Sequence, residues 1–273
     1  MSKVSKKGGL VLCVVLALAI ILVIVKSTPK EESCCEAVAA NTLTAEEVEA
    51  GWELLFDGES LAEHWSSAKD PNVDATTWAI EDGVAAIQTI VDGEVVKGGH
   101  INTKKKYSAF EFSVDFKLTE AANSGIKYFF YVGQVDGKNR AYGLEYQLLD
   151  DVKHPDAVKY TVTPGSRTLC SLYDMKAANE DKPFNGIGEW NTAYIKALPD
   201  GKVEHYLNGV LVLEYVRFSD EFYQLLEDSK YTKEAYYTDG EYPFGCAPEG
   251  YIQLQDHNDQ VYFRNMKVRD LSK

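Results

Sequence analysis

Phe110, Phe112, Val114, Phe116 and Leu118 alternate without a break with Glu111, Ser113, Asp115 and Lys117. A period of two sends successive side chains to opposite faces, so this stretch predicts a strand with one face in a core. Gly143-Leu144-Glu145-Tyr146-Gln147-Leu148-Leu149-Asp150 repeats the pattern. Leu144, Tyr146 and Leu148 fall on one side and Gly143, Glu145 and Gln147 on the other. Residues 126–132 are apolar on both faces, as a central strand would be. Further short strands are predicted at 77–80, 84–87, 190–197, 203–207, 210–215, 251–255 and 261–271. Glu81-Asp82-Gly83, Asp92-Gly93, Pro199-Asp200-Gly201-Lys202 and Asn208-Gly209 supply turns between them. Helix is predicted only over residues 219–229 and over a short 44–50 segment with Thr44 as its cap. Many short strands without alternating helices predict an all-β jelly-roll sandwich.

The amino end follows a different pattern. Lys3, Lys6 and Lys7 precede an unbroken apolar run over residues 10–25, which predicts a signal peptide or an uncleaved signal anchor. The basic flank would stay in the cytoplasm and the domain outside. Residues 26–50 read as a polar linker, and the globular domain as 51–273.

At 273 residues the chain can bury one large core. A formal charge of -14 argues against a nucleic-acid partner. The five cysteines, Cys13, Cys34, Cys35, Cys170 and Cys246, show no CxxC or Cys/His spacing, so no cysteine zinc site is expected. Cys170 and Cys246 are read either as a bridge or as two free thiols.

Three strands place polar or aromatic side chains on the face away from the core. They carry Glu145 and Gln147, then Gln253, Gln255 and His257, then Lys127, Phe129 and Tyr131. Brought together, these groups would form a surface for a hydroxyl-rich ligand, since amides and carboxylates bind hydroxyls and aromatic faces stack on sugar rings. Asp150-Asp151-Val152-Lys153-His154 sets two carboxylates near an imidazole, which suits a divalent cation, an oriented base or simply a capped turn. His205 alternates with Val203 and Leu207, the pattern of a core histidine. Arg264 and Asn265 interrupt an alternation and predict a bulge. Ordinary glycoside hydrolysis needs two carboxylates. Glu145 with Asp256 or Glu204 would have to supply them, and no spacing ties those residues together.

Several motifs occur in order: Gly51-Trp52 with Leu55-Phe56-Asp57-Gly58, Asn123-Ser124-Gly125-Ile126, the stretch from Gly143 to Asp151 with His154-Pro155-Asp156-Ala157, Ser171-Leu172-Tyr173-Asp174, Lys182-Pro183, Gly188-Glu189-Trp190-Asn191, Val203-Glu204-His205 with Leu207-Asn208-Gly209, and Ile252-Gln253-Leu254-Gln255-Asp256-His257 with Phe263-Arg264-Asn265. Together they resemble the 3-keto-disaccharide hydrolase domain family, also described as 3-keto-glucoside 1,2-lyase/3-keto-2-hydroxy-glucal hydratase, over essentially residues 51–273. The resemblance implies a concanavalin A-like jelly roll in an exported bacterial protein, on the periplasmic or cell-surface side and anchored in the inner membrane by residues 10–25. It implies glycosides already oxidised at C3 as substrates, with a sugar 3-dehydrogenase upstream, cleaved by hydrolysis or by β-elimination followed by hydration. Under this reading Glu145 is the acid/base or a metal ligand, His257 or His154 the base, and His205 a further catalytic candidate. Gln147, Gln255, Arg167, Tyr173, Lys127 and Asp256 are substrate contacts. Asp150 is a candidate ligand for a divalent metal, the one cofactor considered. Asn258 stands where the resemblance implies Gly, and residues 159–161 and 231–243 are atypical. The rival reading is a non-catalytic glycan-binding module, because one scaffold serves both roles.

Overall fold

The computed structural model describes residues 39–74, 78–91 and 94–272. The apolar run over 10–25, Cys13, Cys34, Cys35, the linker up to residue 38, Thr77 and the Asp92-Gly93 turn lie outside the described residues.

The first strands in the chain are β1 (Trp52–Leu54), β2 (Trp65–Ser67), β3 (Asp70–Asp74), β4 (Ala79–Glu81), β5 (Val84–Ala86), β6 (Gln88–Val91), β7 (Glu94–Lys97) and β8 (Ile101–Thr103). Three long strands follow or close the fold: β9 (Phe110–Leu118), β10 (Asn123–Val135) and β11 (Lys138–Leu149). Then come β12 (Asn191–Ala197), β13 (Lys202–Leu207), β14 (Val210–Val216), β15 (Tyr251–Leu254) and β16 (Val261–Asp270). One sheet runs β14-β13-β12-β9-β16-β5-β4, with β1 also on β16. The other runs β11-β10-β15-β8-β2-β3, and β6 and β7 form a separate hairpin. The long neighbours pair antiparallel. This is the all-β sandwich that the spacing predicts.

The alternation explains the layers. Phe110, Phe112, Val114, Phe116 and Leu118 of β9 are all 1 % exposed or less, and face Tyr128, Leu144, Tyr146 and Leu148 of the second sheet in one core. Burying each large side chain contributes about 1.5–3 kcal/mol. The opposite face of β9 is covered by its own polar lattice. Glu111 accepts from Tyr194 Oη at 2.6 Å and pairs with Arg269. Asp115 accepts from Thr192 Oγ1 at 2.7 Å and from Asn265 Nδ2 at 2.6 Å.

Among the described residues three α-helices flank the sandwich: α1 (Ala45–Glu49), α2 (Asp220–Glu227) and α3 (Ala235–Thr238). Thr44 caps the first, as expected, and Ser219 caps the second. The ordered fold reaches back beyond the expected start at Gly51. Asn41 is buried, donates its amide nitrogen to Asn265 Oδ1 at 2.6 Å, and reaches Gly83 O through Nδ2 at 2.8 Å. Residues 39–50 therefore pack on the domain rather than acting as linker. Asn265 sits at φ 53° in the expected bulge of β16, and the bulge takes part in this clasp. Cys170 and Cys246 are free thiols.

Candidate functional site

β10, β11 and β15 are neighbours, so the three polar strand faces do meet. The register sets Lys127 opposite Glu145 on one side and Gln253 on the other, and Gly125 opposite Gln147. Together with residues 230–244 they enclose a cavity of about 190 Å³. Its lining holds Lys127, Glu145, Gln147, Gln255 and His257 from the expected set, together with Asn123. The polar face of β11 is thus the floor of a pocket, with Glu145 only 6 % exposed and Gln147 fully buried.

Glu145 Oε2 lies 3.7 Å from Lys127 Nζ. Gln147 Nε2 reaches Asn123 Oδ1 at 3.2 Å, and with its amide turned over the nitrogen lies 3.1 Å from Glu145 Oε1. Gly125 leaves room for the carboxylate, since a Cβ built there would come within 2.2 Å of Glu145 Oε1. The buried Gln255 Oε1 has no hydrogen-bond partner among the described residues. An unpaired buried acceptor of this kind is rare in a folded chain. His257 is exposed, and its ring stands 6.3 Å from that of His154, edge to face. Asn258 at φ 73° adopts the left-handed backbone that explains a glycine at this position.

Tyr173 forms one wall, with its hydroxyl 3.4 Å from Asp156 Oδ2 and its phenol pKa raised by burial. Arg167 stays outside the lining. It donates to Asp174 Oδ1 at 2.8 Å and lies over the Tyr173 ring. The buried Asp174 also accepts from the Lys230 amide at 2.9 Å.

Other expected site residues are placed elsewhere. His205 is fully buried in the core and corrects its catalytic assignment. Its Nδ1 lies 2.9 Å from the Cys170 carbonyl, which can only accept, so Nδ1 donates and Nε2 accepts from Tyr128 Oη at 2.7 Å. Burial pushes its pKa down to about 4. Asp256 holds a loop, accepting from the Gly99 and Asn258 amides at 2.8 Å each. His154 caps a short 3-10 helix through Nδ1, 3.1 Å from the Asp156 amide. Asp150 is 3 % exposed and accepts from the amides of Ala121, Val152 and Lys153 at 2.8–3.1 Å. Despite its burial, these amides hold its carboxyl below the usual range. Its oxygens are committed to the turn, and among the described residues no three His, Cys, Asp or Glu side chains gather as a metal site. Phe129 leaves the polar face: a bulge between Tyr128 and Tyr131, with Phe129 at φ 47°, turns its ring into the core. Tyr131 packs against Tyr142 and Tyr242, outside the lining. Glu204, on the other sheet, is bound by Lys202 at 2.7 Å.

Sequence reasoning missed Lys230, Tyr231, Tyr237 and Phe244, which form the remaining wall. Tyr231 stacks on Phe244 at 3.5 Å, and Tyr237 meets both rings edge-on. The tyrosine-rich composition of 231–242 was the available signal, since the stretch has neither strand nor helix period.

The profile of a family described as 3-keto-alpha-glucoside-1,2-lyase-like domain matches residues 51–269. A 3-keto-disaccharide hydrolase from Bacteroides thetaiotaomicron is 33 % identical over 238 residues, covering 81 % of this chain and 79 % of that protein. The crystal structure of a candidate glycosyl hydrolase from Parabacteroides distasonis superposes with a TM-score of 0.68 at 29 % identity, over 86 % of this chain and 100 % of that one. A second Parabacteroides distasonis structure of the same description, 24 % identical with a TM-score of 0.50 over 81 % and 99 % of the two chains, shares the fold.

Proposed function

The chain belongs to the family of 3-keto-alpha-glucoside-1,2-lyase-like domains, and from that premise we propose that it cleaves 3-keto-glycosides by β-elimination followed by hydration. The observation that carries this reading is the lone carboxylate. Among the described residues Glu145 is the only Asp or Glu in the cavity lining, where it keeps company with lysine, amide and tyrosine side chains. Direct glycoside hydrolysis uses two carboxyl groups on opposite sides of the bond. A ketone at C3 removes that need, because it acidifies the proton on C2 and one base suffices.

In this mechanism Glu145 takes the C2 proton. Lys127, 3.7 Å away, helps hold the carboxylate in place. The bond between C1 and the glycosidic oxygen then breaks, with the double bond forming between C1 and C2. His257, exposed at the edge of the cavity, returns a proton to the departing oxygen. Water adds across the product to give the free 3-keto sugar. Gln147, Asn123 and Gln255 are the amides of the lining that meet sugar hydroxyls, and Tyr173 and Tyr237 supply aromatic surface beside them. An oxidoreductase acting at the C3 hydroxyl has to supply such a substrate.

The test compares a 3-keto-glucoside with the parent glucoside on the purified chain. Release of 3-keto sugar from the oxidised compound alone is expected, and Glu145→Gln should lower kcat by about 10²–10⁴-fold with unfolding unchanged. Equal cleavage of the unoxidised glucoside, or full activity in E145Q, would overturn the reading.

A further inference from the structure

We propose that Lys230 is a second catalytic group of this cavity, its ammonium meeting the oxygen on C3 of the substrate and holding the negative charge that grows there as the C2 proton leaves. The inference rests on the keto-glycoside reading above and names the group that reading lacks.

Three cations surround the site, and two are already matched. Lys127 faces Glu145 at 3.7 Å and Arg167 donates to Asp174 at 2.8 Å. Lys230 is the odd one out. Its side chain is half-buried and lines the cavity, yet among the described residues its Nζ makes no ion pair and no hydrogen bond. It lies 4.9 Å from the Tyr173 ring centre and 5.4 Å from that of Tyr231, held between two cavity walls. Its backbone is fixed separately, through its amide on the buried Asp174. Arg167 sits 5.3 Å from the same Tyr173 ring and adds a like charge nearby.

Partial burial is costly for an ammonium on which the carboxylates of Glu145 and Asp174 act only from beyond ion-pair distance, and it lowers the pKa of Lys230. An oxyanion forming beside it relieves that cost. A neutral ketone relieves it far less, so the gain falls on the transition state rather than on substrate binding. The electrons balance without a cofactor. Glu145 accepts the C2 proton, the C–H pair becomes the C2–C3 double bond, and the carbonyl pair moves onto oxygen against the ammonium. The oxygen pair then re-forms the ketone, the C2–C3 pair shifts to C1–C2, and the glycosidic oxygen leaves with a proton from the acid. Lys230 ends with the protons it began with.

The experiment uses Lys230→Gln and Lys230→Arg with a 3-keto-glucoside, with unfolding curves confirming that both fold. K230Q should lose about 10²–10³-fold in kcat with KM within a few-fold, and K230R should recover a substantial part of the loss. The C2-deuterium isotope effect should rise in K230Q as proton removal becomes the slow step. Borohydride added during turnover should leave the protein mass unchanged, because no imine forms. If the wild type cleaves the substrate and K230Q keeps its kcat or changes only KM, the assignment of Lys230 fails alone. A borohydride-trapped sugar on Lys230 overturns it in favour of covalent chemistry. If the wild type cleaves no keto-glycoside, both this inference and the reading beneath it fall.

Discussion

Glu145 and His205 show how environment decides what a side chain does. Each lies in a strand with alternating core residues, and each is buried. Glu145 is kept for chemistry by the bare backbone of Gly125 across the ladder, where a methyl group would meet its Oε1 at 2.2 Å. Gly125→Ala must therefore push aside the end of a flexible side chain. Stability should change by less than about 1 kcal/mol, while kcat falls by about 10²-fold from the misplaced carboxylate. Steady-state kinetics beside urea unfolding would separate the two effects. His205 has both nitrogens spent on protein partners and acts through stability. Its folded pKa of about 4 lies below the unfolded value of about 6.5. Between those values the unfolded chain binds a proton that the folded chain refuses. Stability therefore rises with pH across this window, and His205 by itself accounts for about 2 kcal/mol lost on going from pH 7 to pH 5, to which His100, likewise pushed down to about 4 by burial, adds in the same direction. Urea unfolding at the two pH values should show that loss, and His205→Gln should shrink it. The sequence held both residues in view but only half of this distinction. Alternation with Val203 and Leu207 marks His205 as a core position, whereas nothing local marks Glu145 as lining a cavity rather than open solvent.

At the scale of elements, alternation was a good guide wherever a strand had one core face. β9, β11 and the β13–β14 hairpin fall where the pattern put them. It failed on β10, because a bulge breaks the period and sends Phe129 inward directly after Tyr128. The bulge lies against a residue distant in sequence: a Cβ at Gly250, on the approach to β15, would come within 2.3 Å of the Phe129 carbonyl carbon. Single-chain periodicity cannot report such a contact. Helix α2 falls within the 219–229 stretch expected to be helical, and the structure adds its cap. Ser219 Oγ accepts from the Phe222 amide at 3.1 Å, while Phe222 and Leu226 anchor the helix in the core. Ser219→Ala should cost about 1 kcal/mol, readable as a lower thermal midpoint with kcat nearly unchanged, since the cap touches no group in the cavity.

On the scale of the whole molecule, charge and site are uncoupled. The formal charge of -14 would repel anions. The cavity instead gathers Lys127, Lys230 and His257 around one carboxylate. An uncharged keto-glycoside gains nothing from long-range steering, so kcat/KM should stay within about two-fold between low and high salt. A steep salt dependence would point to an anionic substrate instead. The sandwich and its two layers were readable from strand spacing alone. The extent of the fold was not, because the clasp of Asn41 on Asn265 joins positions at opposite ends of the domain.

The wall made by Lys230, Tyr231, Tyr237 and Phe244 comes from one uninterrupted stretch between β14 and β15. Glu145 and Gln147, by contrast, belong to β11, and Gln255 follows directly on β15. The cavity is therefore assembled from two separate blocks of the chain, a sheet block with the proposed proton acceptor and a loop block with the proposed oxyanion partner. A graft of that stretch from a relative should therefore preserve turnover only where it keeps a lysine at position 230, whatever it does to the range of substrates accepted.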